Sequence, residues 1–178
     1  MTAAQLTGLQ LATDPSVVEA ARRGDRRAFA ALFSQYAPMV HGILLARVHR
    51  EQADDLVQDV FVAAMERISG LRDPLAFGGW LAAIARHRAV DYFRTRRKTT
   101  ELPDDLAQSE RDRSQAEQVL EVIRTLPEAY RETLVLRLVE GMSGPEIAAR
   151  VGITAESVRV NLHRGMKLLK EKLGANEP

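Results

Sequence analysis

The chain has 178 residues, 46% of them hydrophobic, 28% charged and 5% aromatic, with a net charge of +1. That length holds one large or two small domains, and the composition excludes a chain disordered throughout. With no cysteine, disulfides, thiolate catalysis and cysteine-ligated zinc are removed together.

The first residues lack a basic segment followed by an apolar one, and no stretch approaches the roughly 20 apolar residues of a bilayer span, so neither a secretory leader nor membrane insertion is expected. Met1 to Thr13 has weak periodicity and is expected to be a flexible N-terminus. Asp14 then caps a helix with Pro15 at its first position, Gly24 closes that helix, and Asp25 caps the next. Ala28, Phe29, Leu32, Phe33, Tyr36, Val40, Ile43 and Leu44 keep three-and-four spacing, which predicts a long amphipathic helix bent near Pro38. His41 and His49 lie about 80° apart around a helix, with no metal-ligand or nucleophile-base pattern beside them. They are read as surface or boundary residues; no catalytic residue, metal or other cofactor is expected.

Ala53 to Ile68 predicts a helix with an apolar stripe and an opposite face bearing Asp55, Gln58, Asp59 and Glu66, with Asp54 beside them. Glu51 to Glu66 holds five acidic residues and no basic one. A helix divided in this way buries one side and offers the other to a cationic partner. Ser69 to Gly79, with Gly70, Pro74, Gly78 and Gly79, reads as a loop or broken turn. Trp80 to Arg97 is helical again, with Trp80, Leu81, Ile84, Ala85, Val90 and Phe93 facing inward. Arg86 to Lys98 carries six basic residues against the single Asp91. Arg86, His87, Arg88, Arg94 and Arg97 are suited to phosphate, and Tyr92 serves either as a ring for stacking on unpaired bases or as a boundary residue.

Thr99 to Ser114 has Pro103, clustered acids and almost no apolar content, which marks a linker. At about 3.3 Å per residue it reaches roughly 50 Å when fully extended. Helices are predicted from Ala116 to Arg124 and from Pro127 to Val139, with Gly141 ending the second. Ser143-Gly144-Pro145-Glu146 is a capping box that starts a short helix; Gly152 makes the turn after it and Thr154 caps the last helix. Val158, Leu162, Met166, Leu169 and Leu173 bury one side of that last helix. Arg159, Val160, His163, Arg164 and Lys167 share the other, as in a helix-turn-helix whose second helix enters the DNA major groove. The fold class is therefore all-α: two small helical domains, 14–98 and 115–178, joined by an acidic flexible linker, 99–114, the C-terminal domain holding the helix-turn-helix.

Four strings in order, Ala53-Asp54-Asp55-Leu56-Val57-Gln58-Asp59-Val60-Phe61, Trp80-Leu81-Ala82-Ala83-Ile84-Ala85-Arg86, Asp91-Tyr92-Phe93-Arg94, and Leu126-Pro127-Glu128 through Leu173, resemble the extracytoplasmic-function sigma factors (group 4). The resemblance covers about Asp25 to Leu173. It implies that Asp54, Asp55, Gln58, Asp59 and Glu66 dock on core RNA polymerase. It further implies that the Ser69 to Gly79 loop, including Phe77, captures a flipped base of the single-stranded non-template minus-ten element. Arg86, His87, Arg88, Tyr92, Arg94 and Arg97 hold backbone and neighbouring bases in the same picture, and Arg159, Val160, His163, Arg164 and Lys167 read the duplex minus-thirty-five element. An anti-sigma factor is an implied partner, and the implied place of action is the cytoplasm, at the nucleoid in holoenzyme or held at the membrane by the anti-sigma factor. Two positions depart from the family pattern: His87 stands where Asn is common after Ile-Ala-Arg, and Val160-Asn161 where Ser-Arg is usual. A stand-alone helix-turn-helix regulator of duplex DNA is the alternative reading; it leaves the acidic helix and the first basic helix without a role.

Overall fold

Side-chain caps set where the first helices begin. Asp14 accepts from the Ser16 amide at 2.9 Å ahead of α1 (Pro15–Arg22), and Asp25 accepts from the Arg27 and Ala28 amides ahead of α2 (Arg26–Leu45). This computed structural model describes residues 13–99 and 115–175, among which there are eight α-helices, two 3-10 turns and no strand. The expected N-terminal fraying segment and acidic linker lie, but for their end residues, outside the described residues.

Helix α2 is the centre of the molecule. Leu32, Met39, Ile43, Leu44 and Leu45 are fully buried on it, each such side chain contributing about 1.5–3 kcal/mol. The helix continues through Pro38. It is long and apolar enough to match a membrane span by length and composition, contrary to the sequence expectation, but here it is enclosed by α1, by α3 (Arg50–Arg67) and by α4 (Phe77–Thr99). Two 3-10 turns, Ile68–Gly70 and Pro74–Ala76, join α3 to α4. Asp73 caps the second by accepting from the Leu75 amide.

The expected loop is thus shorter than Ser69 to Gly79, because α4 begins at Phe77 and takes Gly78 and Gly79 into its first turn. Val90 and Phe93 also differ from expectation: Val90 is 62% exposed and Phe93 44%. At 100° per residue Val90 stands about 180° around from Leu81, so the buried stripe runs through Leu81, Ile84, Ala85 and Ala89 instead.

The second half comprises α5 (Gln115–Arg124), α6 (Glu128–Leu138), α7 (Gly144–Val151) and α8 (Ala155–Gly174). Both bonds of the capping box are made: the Glu146 amide donates to Ser143 Oγ, and the Ser143 amide donates to Glu146 Oε2 at 2.8 Å. That second bond lowers the Glu146 carboxyl pKa. Gly152 turns the chain at φ +77°, a left-handed value that side chains with a Cβ rarely adopt, and Thr154 accepts from the Ser157 amide to start α8.

The halves are packed together rather than held apart. Helix α2 meets α6 and α7, α4 meets α7, and the buried apolar side chains of both halves form one continuous core. Gly78 makes this possible at its tightest point, since a Cβ there would fall on the Arg150 carbonyl oxygen.

Candidate functional site

On α3, Asp54, Asp55, Gln58, Asp59 and Glu66 are all exposed. Leu56, Val60, Phe61 and Ala64 are buried on the other side of the same helix. Asp55, Gln58, Asp59 and Glu66 fall within about 100° around the axis. Val62 lies among them and is 51% exposed, an apolar centre to an acidic face that charge-based reading of the sequence passed over. Phe33 and Met65 add exposed apolar surface at its edge, Phe33 through a tilted ring contact with Phe61 at 4.5 Å.

Helix α4 carries the basic residues. His87 and Arg94 are exposed, Arg88 and Tyr92 half-buried, and the Arg97 side chain lies outside the description. Arg94 pairs with Asp91 at 3.0 Å and Arg96 donates to the Tyr92 hydroxyl at 3.0 Å. Leu56 and Asp59 of α3 face Arg88, Asp91 and Tyr92 of α4 across a cleft of about 410 Å³. Acidic and basic faces therefore adjoin one another on two neighbouring helices.

Two expected DNA contacts are placed otherwise. Phe77 is 1% exposed, its ring set against Tyr36 at 5.1 Å and Trp80 at 5.8 Å. As the first residue of α4 it serves as a core plug, and its expected role as an exposed base contact is corrected accordingly. Arg86 is engaged within the protein: its Nε and Nη2 donate to the two carboxylate oxygens of Glu132 on α6 at 3.1 and 2.7 Å. This bonding raises the Arg86 pKa further above its ordinary value.

On α8 four of the five predicted face residues are exposed. His163, Arg164 and Lys167 are exposed, Arg159 is exposed and paired with Glu156 at 2.6 Å, and Val160 is half-buried. Val158 and Leu169 anchor the opposite side.

The residues that sequence reasoning missed line the seam between the halves. Arg47, whose side chain is 6% exposed, donates to Glu132 at 2.8 Å, to Glu128 and to the Ile43 carbonyl at 2.7 Å. The Glu132 side chain, 8% exposed, thus sits between two guanidinium groups. The bond from Arg47 also lowers the Glu128 carboxyl pKa. Arg124 donates to the Leu45 carbonyl at the end of α2, where a cation is favoured by the helix dipole, and Arg150 donates to the Gln35 carbonyl. An acid at Glu132 beside the run Thr133-Leu134-Val135-Leu136 is the sequence signal that could have found such a seam.

Comparison with known proteins bears on both halves. Residues 32–99 match the family model for sigma-70 region 2, and residues 116–169 match that for sigma-70, region 4. The chain is 33% identical over 169 residues to RNA polymerase sigma factor CarQ of Myxococcus xanthus, covering 90% of this chain and 97% of that protein. It is 29% identical over 180 residues to the ECF RNA polymerase sigma-E factor of Haemophilus influenzae, covering 90% and 95%. Among solved structures it resembles CnrH in complex with the cytosolic domain of CnrY, with TM-score 0.61 and 26% identity over 92% of this chain and 99% of that one. It shares its fold with the sigma factor RpoE of Bartonella quintana, with TM-score 0.54 and 18% identity over 84% of this chain and 98% of that one.

Proposed function

From the premise that the chain belongs to the extracytoplasmic-function sigma factors, alternative sigma factors of RNA polymerase, we propose that α3 is its handle on core polymerase, with α4 and α8 its two contacts to promoter DNA. The observation that carries this reading is the exposed face of Asp55, Gln58, Asp59 and Glu66, set on a helix whose other side is locked into the core. Acidic groups on a fixed helix steer a basic partner and set its register. Val62 at their centre supplies apolar area for the fully buried part of such a contact.

Residues 14–98 and 115–178 act as separate modules in this proposal. The first, through His87, Arg88, Tyr92, Arg94 and Arg97, and through Arg86 once it leaves Glu132, holds the non-template strand of the minus-ten element; capture of an unpaired base offsets part of the cost of opening the duplex. The second lays α8 in the major groove at the minus-thirty-five element. Val160 has no side-chain hydrogen bond to offer there, so hydrogen-bonded base readout falls to Arg159, His163, Arg164 and Lys167. The chain does this without chemistry of its own, in the cytoplasm, and an anti-sigma protein is its regulating partner. The structural relative CnrH was solved in complex with the cytosolic domain of CnrY, a likeness that supports a protein partner for this chain.

Reversing charge with Asp55→Lys and Asp59→Lys tests the handle. Purified core polymerase should retain the native chain and lose the double variant by at least tenfold in affinity, with helical content unchanged. Equal retention would remove α3 from the role. A stand-alone duplex regulator, by contrast, would bind promoter DNA without core.

A further inference from the structure

Three side chains from three segments meet at one edge of the seam. His41 on α2 places Nδ1 2.6 Å from Glu140 Oε1, in the connection after α6, and Nε2 3.3 Å from Asp54 Oδ1 on α3. His41 and Glu140 are largely shielded, while Asp54 is exposed; Arg50, at the start of α3, is the other charge acting on the ring. A neutral imidazole has one N–H and can donate to one carboxylate only, leaving a lone pair turned toward the second. An imidazolium presents a proton to each. The Asp54 oxygen lies off the line for a hydrogen bond but within ion-pair range.

We propose that His41 is a proton-operated clasp between the two halves: charged, it ties Glu140 to α2 and α3 with an ion-paired bond and favours the closed chain; neutral, it keeps at most one uncharged hydrogen bond to Glu140, and the tie is weakened. Its bond to Glu140 raises the His41 pKa, burial works in the opposite direction, Glu140 and Asp54 raise it through charge, and Arg50 lowers it. The sign follows from linkage. Closure binds the proton more tightly, so the clasp is complete below the ordinary histidine value and is lost as pH rises through the raised one. Between those two values the closed-to-open ratio falls up to about tenfold per pH unit.

His49, the other histidine at the seam, is placed differently. Its Nδ1 is 3.5 Å from Glu117, but Arg124 already supplies that carboxylate with a cation at 2.9 Å. The His49 side chain is 65% exposed, so solvent screens its pair with Glu117. Closure matters because the closed chain has Arg86 on Glu132, and Gly78 and Gly79 against the backbone of Arg150 to Gly152. A rise in pH accordingly frees Arg86 and the start of α4 from the helix-turn-helix half. That consequence rests on the proposed function; the clasp itself does not.

The chain has no cysteine of its own, so a dye pair can be attached to the full-length protein at Arg23→Cys and Lys170→Cys. Energy transfer is followed from about pH 5.5 to about pH 9, which spans a raised histidine titration. The native sequence should show transfer highest at the acid end, falling in one single-proton step whose midpoint lies above the ordinary histidine value. His41→Gln should remove the step, and Glu140→Gln should move its midpoint down, since the bond to Glu140 is the largest cause of the raised value. A flat native profile, or the same step surviving in His41→Gln, overturns the clasp. Should His41→Gln lose its helical circular dichroism, the Glu140→Gln midpoint decides, and an unmoved midpoint is the overturning result. Core binding is measured without dyes, so failure of the α3 assignment leaves the transfer result standing.

Discussion

Glu132 shows how much one side chain can decide. An Arg fork meets a carboxylate with the same paired geometry it uses for phosphate, so Glu132 occupies Arg86 as a DNA backbone would. Arg47 completes the arrangement from the other side, at 2.8 Å and nearly enclosed. Removing the carboxylate leaves the Arg47 and Arg86 guanidinium groups turned to the seam without the counter-charge they share, a loss of roughly 3–5 kcal/mol for a buried pair. Because Arg47 and Arg86 both belong to the first half, the molecule escapes that cost by opening rather than by unfolding. Glu132→Ala is therefore expected to raise the radius of gyration in small-angle scattering with helical content unchanged. A radius equal to that of the native chain would show that the pair does not hold the halves.

Among the elements, α3, α7 and α8 were legible in the sequence because their signals are local. The Ser143–Glu146 box, Gly152 and Thr154 each act within four residues, and the alternation of apolar and acidic positions on α3 needs no partner to be read. Helix α4 was less legible. Gly78 and Gly79 read as helix breakers, yet they fill its first turn because another backbone lies against them. Val90 and Phe93 were assigned inward on residue type, although angular position sends them out. The face of α8 carries its own prediction: Arg164→Ala should weaken promoter binding by holoenzyme by roughly 1–3 kcal/mol if the guanidinium bridges a guanine edge. An equal loss on scrambled upstream sequence would restrict it to phosphate.

The whole molecule depends on contacts that no local pattern announces. Arg47 reaches Glu132, Arg86 reaches Glu132, His41 reaches Glu140 and Arg150 reaches Gln35, pairs separated by 85, 46, 99 and 115 residues. Composition told only that charges of both signs were plentiful; which ones met was decided by the packing of α6 and α7 on α2. Gly78→Ala tests that packing as a unit. Its new methyl group meets backbone at Arg150, which has no rotamer to yield, so the halves must separate. Faster elution in size exclusion, with the thermal transition of the helices retained, is the expected outcome; an unchanged elution volume would mean that the seam adjusts around the methyl. The most direct measurement of the central claim is to map transcript 5′ ends made on genomic DNA by core polymerase with and without this protein. New starts that share upstream elements at fixed spacing, and that vanish with the Asp55→Lys, Asp59→Lys variant, are predicted. A set of starts identical to that of core alone would contradict the account.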